Sequence, residues 1–160
     1  MPIEADTLRQ AMRFWTTGVT IVTAAHEGVQ HGMTVSSFMS LSLTPPQVLI
    51  SLAQDTRTHN LVSRSGSFGI SILSSAQQEI SDRFAGRVAD EQNRLAGLET
   101  FTLASGSPML SGALAYLDCQ VVTTLGSGSH TIFIGEVLAA QHVEDGHPLV
   151  YFNREYKQLV

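Results

Sequence analysis

The sequence is dominated by β-branched and apolar runs that are separated mostly by short turns. The runs occupy residues 19–25, 32–37, 47–52, 67–73, 113–124, 131–142 and 149–152. The two longest flank Gly126-Ser-Gly-Ser129, a composition typical of a hairpin loop. Parallel strands need long crossover connections, whereas antiparallel strands can be joined by tight turns. The sequence therefore predicts a mainly β fold, an antiparallel barrel.

Three helices are predicted among the strands. The first spans residues 6–15, where apolar side chains recur with helical spacing, and it is expected to pack one face against the protein. The second begins at a capping box formed by Ser75 and Gln78. Thr58 is predicted to cap a third, short helix. The polar segment at residues 87–106 is expected to be mobile.

Composition limits the classes of partner. The chain has 160 residues, enough for one domain spanning 1–160. Nine basic and fourteen acidic residues give a net charge of −5, which argues against nucleic-acid binding. Only 14% of residues are charged, against about 25% in an average protein. This low fraction indicates a second buried surface, most simply a subunit interface.

A single cysteine, Cys119, cannot form an internal disulfide bond, so a reducing compartment is expected. The start of the chain lacks the pattern of a signal peptide, and no segment has the length of a membrane helix. We therefore expect a cytoplasmic protein that is not bound to a membrane. None of the six histidines has the helical spacing of a metal site, so no metal is expected.

The usual catalytic signatures are absent from the sequence. It contains no G-x-S-x-G nucleophile elbow, no phosphate-binding P-loop and no G-x-G-x-x-G motif after a strand. Chemistry that depends on a nucleophile triad or a nucleoside triphosphate is therefore not predicted.

Four segments are candidates for ligand binding. Thr34-Val-Ser-Ser37 offers hydroxyls and amides along one edge, which suits a flat polar heterocycle or an ordinary barrel rim. The segment 51–59 places an arginine before a helix start, which is typical of an anion site or of a plain capped turn. The Arg83–Phe84 pair and His130, at a hairpin loop, are each open to a binding or a purely structural interpretation.

Motifs along nearly the whole chain resemble the short-chain flavin reductase family, the reductase components of two-component flavin monooxygenases. They are residues 19–24, 32–38, 41–46, 69–73, 83–86, 128–135 and 148–152, in that order. The resemblance implies an FMN-binding split barrel with Greek-key antiparallel strands, working as a homodimer with flavin near the subunit interface. Ser129 stands where the family has an aspartate, so any carboxylate that orients His130 must come from elsewhere.

The resemblance also implies roles for individual residues. Those expected along the flavin ring are Thr34, Val35, Ser36 and Ser37. Those expected at the ribityl chain and phosphate are Ser51, Leu52, Ala53, Asp55, Thr56, Arg57, Thr58 and His59. Arg83 and Phe84 are expected to approach the flavin. His130 is the expected catalytic residue near the nicotinamide, and Arg154 and Tyr156 are expected to close that pocket.

The implied activity is that of an NAD(P)H:flavin oxidoreductase. Hydride would pass from nicotinamide C4 to flavin N5, with FMN (or FAD) as flavin and NADH or NADPH as donor. Reduced flavin would then pass to a partner monooxygenase. The alternatives are a flavin carrier without turnover, reduction of another acceptor such as a corrinoid, and, on a related barrel, oxidation of pyridoxine phosphate, which would call for more cationic residues.

Overall fold

The structure, a computed structural model, describes residues 1–87 and 93–160. The helices are α1 (Ala5–Met12), α2 (Arg57–Ser65) and α3 (Gln78–Phe84), the last preceded by a 3₁₀ turn at Ser75–Gln77. The strands are β1 (Thr17–Gly18), β2 (Thr20–His26), β3 (Val29–Val35), β4 (Phe38–Leu43), β5 (Pro46–Ala53), β6 (Ser67–Ile72), β7 (Thr100–Phe101), β8 (Met109–Leu110), β9 (Ala115–Ser127), β10 (His130–His142), β11 (Val150–Phe152) and β12 (Glu155–Lys157).

The main sheet closes on itself. Its strands pair antiparallel in the order β3-β2-β6-β9-β10-β5-β4, which places β3 and β4 at opposite edges. Only Ser36 and Ser37 separate these two strands in the chain, a link that spans at most about 7–10 Å, so the two edges must meet. Ser51 donates its amide to Ser37 O at 3.1 Å, and Ser37 Oγ donates to Ser51 O at 2.7 Å. The predicted antiparallel barrel is confirmed.

The barrel interior holds the larger apolar core. Ile50, Leu52, Phe68 and Phe133 are fully or almost fully buried there. Residues of α2 join the same core, which fixes that helix against the barrel. Burial of each such side chain stabilises the fold by about 1.5–3 kcal/mol.

A second apolar cluster lies on the outer face of β2. Ile21 contributes to it while the neighbouring Val22 points into the barrel, because successive side chains of a strand alternate between faces. Phe84 of α3 and Leu149 near the C-terminus complete this cluster. The cluster therefore brings α3 and the small β1-β11-β12 sheet together beside the barrel.

Several local predictions are wrong. Helix α1 ends at Met12 instead of Trp15, and none of its residues is buried, so its apolar face is left uncovered by the residues that the structure describes. The capping box lies one residue earlier than predicted, at Ser74 and Gln77. Thr56, not Thr58, caps α2. The sequence reading also missed β4, because Ser40 and Ser42 interrupt its apolar run and it contains no β-branched residue.

The predicted mobile segment at residues 87–106 falls partly outside the described residues, since 88–92 are not described. From residue 93 onward it contains ordered turns and β7. No helix in the described ranges is long and apolar enough to cross a membrane. Within the same ranges, no group of three His, Cys, Asp or Glu side chains is placed to hold a metal ion.

Candidate functional site

A cleft rich in aromatic side chains lies between the end of β3, helix α3 and the β11–β12 hairpin. We call it the tyrosine cleft, and its volume is about 180 Å³. It is lined by Val19, Thr34, Ser36, Ser81, Ala85, Arg87, Tyr151 and Tyr156. Apolar and aromatic walls with a few hydroxyls suit a flat heterocycle.

A second, cationic cleft adjoins the first. We call it the arginine cleft; its volume is about 330 Å³, and it is lined by His31, Met33, Thr34, Thr56, Arg57, Thr58, Phe84, Ala85 and Arg94. Thr34 and Ala85 line both clefts, so the two lie side by side. The pair can accept one elongated ligand with a flat end and an anionic end.

Thr34 stands at the junction of the clefts. Its Oγ1 donates to Ser81 O at 2.6 Å, which ties β3 to α3. The neighbouring Val35 points into the core and is 3% exposed, so only its backbone can face a ligand. The same holds for Leu52, which is fully buried. Ser36 lines the tyrosine cleft, as the sequence suggested for this segment.

The start of α2 forms one wall of the arginine cleft. Thr56 Oγ1 accepts from the amide of His59 at 3.3 Å and donates to Ala53 O at 2.8 Å, which fixes the turn after β5. Arg57 is the first helical residue, and its exposed side chain borders this cleft. The backbone amides of the first helical turn, the positive end of the helix dipole and a guanidinium together favour an anion.

Two other residues of this turn face inward. Thr58 is fully buried, and its Oγ1 lies 2.8 Å from Nδ1 of His31. Nε2 of His59 lies 2.8 Å from Thr131 Oγ1, and its ring packs edge-on against Phe133. Burial lowers the pKa of His59, which favours its neutral form. Thr58 and His59 thus hold α2 on the barrel, while Asp55 lies on the outer side of the turn.

A hydrogen-bonded network borders the tyrosine cleft. The hydroxyl of Tyr156 lies 2.8 Å from Ser81 Oγ and 2.9 Å from Asp82 Oδ1. Arg87 Nη1 pairs with Asp82 Oδ1 at 3.0 Å, and Arg87 Nη2 donates to the Tyr151 hydroxyl at 3.3 Å. Burial is the main cause that raises the pKa of Tyr156, so its phenol stays protonated above its ordinary range.

Arg83 and Phe84, which are neighbours in the sequence, have different positions relative to the clefts. Arg83 Nη2 donates to Ala96 O at 2.7 Å, so this guanidinium braces the loop after residue 93 and lines neither cleft. Phe84 is fully buried, yet it lines the arginine cleft. A Cβ on Gly32 would lie 2.8 Å from Cε1 of Phe84, so only glycine lets β3 approach this ring.

His130 and Arg154 lie away from both clefts. His130 is the first residue of β10 and is exposed, with Nδ1 3.0 Å from Ser129 Oγ. It pairs with Ala53 across the β10–β5 ladder, which places it beside the end of β5. Arg154 lies in the β11–β12 turn and faces α1, whereas Tyr156 lines the tyrosine cleft.

Sequence reasoning missed several lining residues. Ser81, Arg87 and Arg94 gave no signal, because each is a lone polar residue in a helix end or an irregular segment. Arg94 reaches the cleft because Nη1 donates to Gly32 O at 3.1 Å and to Phe84 O at 3.0 Å. Tyr151 lies within the family motif at residues 148–152. Its position on the strand next to that of Tyr156 could therefore have been inferred from the sequence.

A closed antiparallel barrel with an aromatic cleft beside a cationic one is an arrangement suited to a ligand with a flat ring and an anionic group. A family model described as a flavin reductase like domain matches residues 12–160. The chain therefore belongs to the flavin reductase-like family, and the resemblance found in the sequence is confirmed.

Individual relatives agree with this assignment. An NADH-dependent flavin reductase of a Rhodococcus species is 39% identical over 155 residues, covering 95% of this chain and 85% of the relative. The reductase component of a 4-nitrophenol 4-monooxygenase/4-nitrocatechol 2-monooxygenase of Rhodococcus opacus is 39% identical over 159 residues. The match covers 99% of this chain and 83% of the relative. The solved structure of the flavin reductase PheA2 superposes with a TM-score of 0.91 at 35% identity, covering 99% of both chains, which confirms the split-barrel fold.

Proposed function

We propose that the protein is an NADH-dependent flavin reductase, with one domain over residues 1–160. The observation that carries this proposal is that the tyrosine and arginine clefts adjoin each other, with Thr34 and Ala85 lining both. A flavin has a flat tricyclic ring and a phosphate joined by a short chain, which matches an aromatic cleft joined to a cationic one. The nicotinamide and the flavin supply the redox chemistry, a hydride transfer from nicotinamide C4 to flavin N5.

The residues at the end of β3 would hold the flavin ring. Thr34 and Ser36 line the tyrosine cleft, and polar groups of this segment would hydrogen-bond one edge of the ring. Because Thr34 and Ser37 use their hydroxyls within the fold, the backbone at these positions is already rigid. A rigid ledge lowers the entropy that ordering would cost when the ligand binds.

The start of α2 would hold the flavin phosphate. Arg57 and the amides of the first helical turn face the arginine cleft beside His31 and Arg94. Backbone amides and guanidinium groups are the donors that proteins use most for phosphate. Ser51, Ala53 and the cap Thr56 would lie along the ribityl chain, at the strand end that leads into this turn.

The nicotinamide would bind against the flavin ring. Tyr156 lines the tyrosine cleft, and His130 lies at the end of β10 beside β5. His130 lies outside both clefts, so we assign it to positioning the nicotinamide from the second copy of the homodimer proposed below, while Tyr156 and the neighbouring Arg154 would close the pocket. Hydride transfer needs a near-attack geometry more than a protein acid, so positioning is the main role of these side chains.

A homodimer fits the surface of the barrel. Met39, Leu41 and Leu43 are 53%, 44% and 86% exposed along strand β4. Exposed apolar side chains clustered along one strand mark an interaction face. Light scattering of the purified protein at several concentrations would test the dimer, and Leu43→Glu is expected to weaken it.

The product of the reaction is reduced flavin, which we propose is delivered to a partner monooxygenase. The relative from Rhodococcus opacus is the reductase component of such a system. The testing experiment is NADH oxidation by the purified protein, with FMN or FAD and with no organic acceptor. Oxidation that depends on added flavin supports the proposal, and flavin binding without NADH oxidation would indicate a carrier instead.

A further inference from the structure

A second concentration of positive charge lies outside the two clefts. It is a groove of about 280 Å³ between α1 and the β11–β12 turn, lined by Arg9, Met12, Arg13, Trp15, Tyr151, Asn153 and Arg154. We call it the arginine–tryptophan patch. Three of the nine lysines and arginines of an acidic chain meet here. The charges would repel one another in the absence of an anion, so the clustering calls for an explanation.

The three arginines have different roles. Arg13 is fixed, because Nε donates to Asn153 Oδ1 at 2.9 Å and Nη1 donates to Gln10 Oε1 at 2.9 Å. Arg9 and Arg154 are exposed, and across residues 1–87 and 93–160 their side chains make no hydrogen bond or ion pair. The nearby Glu155 pairs with Lys157 at 2.6 Å. Arg13 therefore holds α1 on the turn, while two guanidinium groups remain available for an anionic ligand.

An aromatic surface accompanies these charges. Trp15 is the only tryptophan of the chain and is 69% exposed, although an indole ring ordinarily buries most of its surface. Stacking of a nucleobase on an aromatic side chain contributes binding energy with any base, and guanidinium groups pair with phosphate in a bidentate manner. Indole and guanidinium together thus recognise a base joined to phosphates.

The patch adjoins the proposed flavin and nicotinamide site. Tyr151 lines both the tyrosine cleft and the arginine–tryptophan patch. We propose that the patch binds the adenosine diphosphate half of NADH, whose nicotinamide ring lies in the tyrosine cleft. This inference rests on the proposed function; the phosphate that FAD shares with FMN is assigned to the arginine cleft, so the adenosine half of FAD would extend from there instead.

The direct test is a titration of the purified protein with ADP, followed by the fluorescence of Trp15. Because the chain has one tryptophan, any change in that signal reports on the patch. We expect saturable quenching, with the Kd raised about 3- to 10-fold in Arg9→Ala and more in Arg9→Glu. Arg64→Ala is the matched control, since Arg64 is an exposed arginine that pairs with Glu27 elsewhere on the surface. Absence of quenching, or equal Kd values in all variants, would overturn the proposal.

Steady-state kinetics then identify the source of the ADP group. Wild type and Arg9→Ala are compared with FMN or FAD as flavin and with NADH or reduced nicotinamide mononucleotide as donor. A KM that rises for NADH but not for the mononucleotide supports the inference, and one that rises for FAD but not for FMN would assign the patch to the flavin and overturn it. A rise that is equal for dinucleotides and mononucleotides, or no rise at all, contradicts the inference.

The two proposals fail in different ways. If no flavin supports NADH oxidation by the wild type, the proposed function is wrong, whatever ADP does to Trp15. If NADH is oxidised normally and ADP neither quenches Trp15 nor competes with FAD or NADH, only the role of the patch is wrong. High ionic strength is a further check, since screening should weaken ADP binding in wild type more than in Arg9→Ala.

Discussion

The hydroxyl of Tyr156 lies 2.9 Å from Oδ1 of Asp82, and this contact joins the C-terminal strand β12 to helix α3. A carboxylate can only accept a hydrogen bond, so Tyr156 donates its phenol proton to Asp82. The oxygen of the Tyr156 hydroxyl can then accept a hydrogen bond from the hydroxyl of Ser81. Arg87 binds the same carboxylate oxygen from the other side. One wall of the tyrosine cleft is therefore fixed by side chains from two distant parts of the chain.

Replacing Tyr156 by phenylalanine tests this contact. Loss of the hydroxyl is expected to lower the free energy of unfolding by about 0.5–1.5 kcal/mol, because Asp82 keeps Arg87 as a partner. Denaturant unfolding followed by circular dichroism measures the change. Tyr151→Phe is the matched control; it removes only the 3.3 Å contact with Arg87 and should cost less. Equal losses in the two variants would show that the Asp82 contact is not the stronger one.

Arg57→Ala tests the phosphate site. If the guanidinium pairs with the flavin phosphate, FMN binding should weaken by about 1–2 kcal/mol, the range for a charged hydrogen bond at a solvent-exposed side chain. Riboflavin, which lacks the phosphate, should bind the variant as well as it binds wild type. Fluorescence titration with both flavins measures this difference. The same loss for riboflavin would remove Arg57 from the site.

His130→Ala tests the nicotinamide site. Loss of one neutral hydrogen bond is expected to lower kcat/KM for NADH by about 2- to 13-fold, with flavin affinity near wild type. A general acid would show a much larger loss, roughly 10²- to 10⁴-fold, and a flattened pH profile. Steady-state and stopped-flow kinetics separate these cases. Unchanged kinetics would return His130 to the role of an exposed loop residue.

Cys119 gives a prediction on pH. The thiol is fully buried, and burial together with Asp118 raises its pKa to about 12. The unfolded thiol ionises near its ordinary pKa of about 8.5, so this group should destabilise the folded state as the pH rises above that value. The native protein is also expected to resist alkylation in mildly alkaline buffer and to react once denatured, as mass spectrometry would show. Rapid labelling of the native protein would contradict the buried position.

The barrel could be predicted because each of its main strands has a local sequence pattern that is typical of a strand. The β-branched run that contains Ile21 and Val22 and the hairpin loop around Gly128 are local features, and the structure has a strand and a tight turn there. The closure between Ser37 and Ser51 could not be predicted, since it depends on contacts between distant residues. Helix α1 was misjudged for a related reason: its periodic pattern indicates a buried face, and no residue in the described ranges 1–87 and 93–160 buries that face.

The site was predictable only in part. Thr34, Ser36 and Arg57 lie in short motifs with recognisable chemistry, and they line the clefts. Arg87 and Arg94 reach the same clefts from an irregular segment without any pattern, so only the folded arrangement reveals them. Conversely, Arg83 looked like a ligand because it precedes an aromatic residue, yet its guanidinium supports a loop.

The most direct test of the account is the anaerobic mixing of the purified protein, FMN and NADH in a stopped-flow instrument. We predict that the flavin is reduced at a rate that saturates with NADH, that each flavin reduced consumes one NADH, and that no other protein is needed. The contradicting result is a flavin that binds to the protein but is reduced no faster than free flavin mixed with NADH in buffer. That result would refute the central claim.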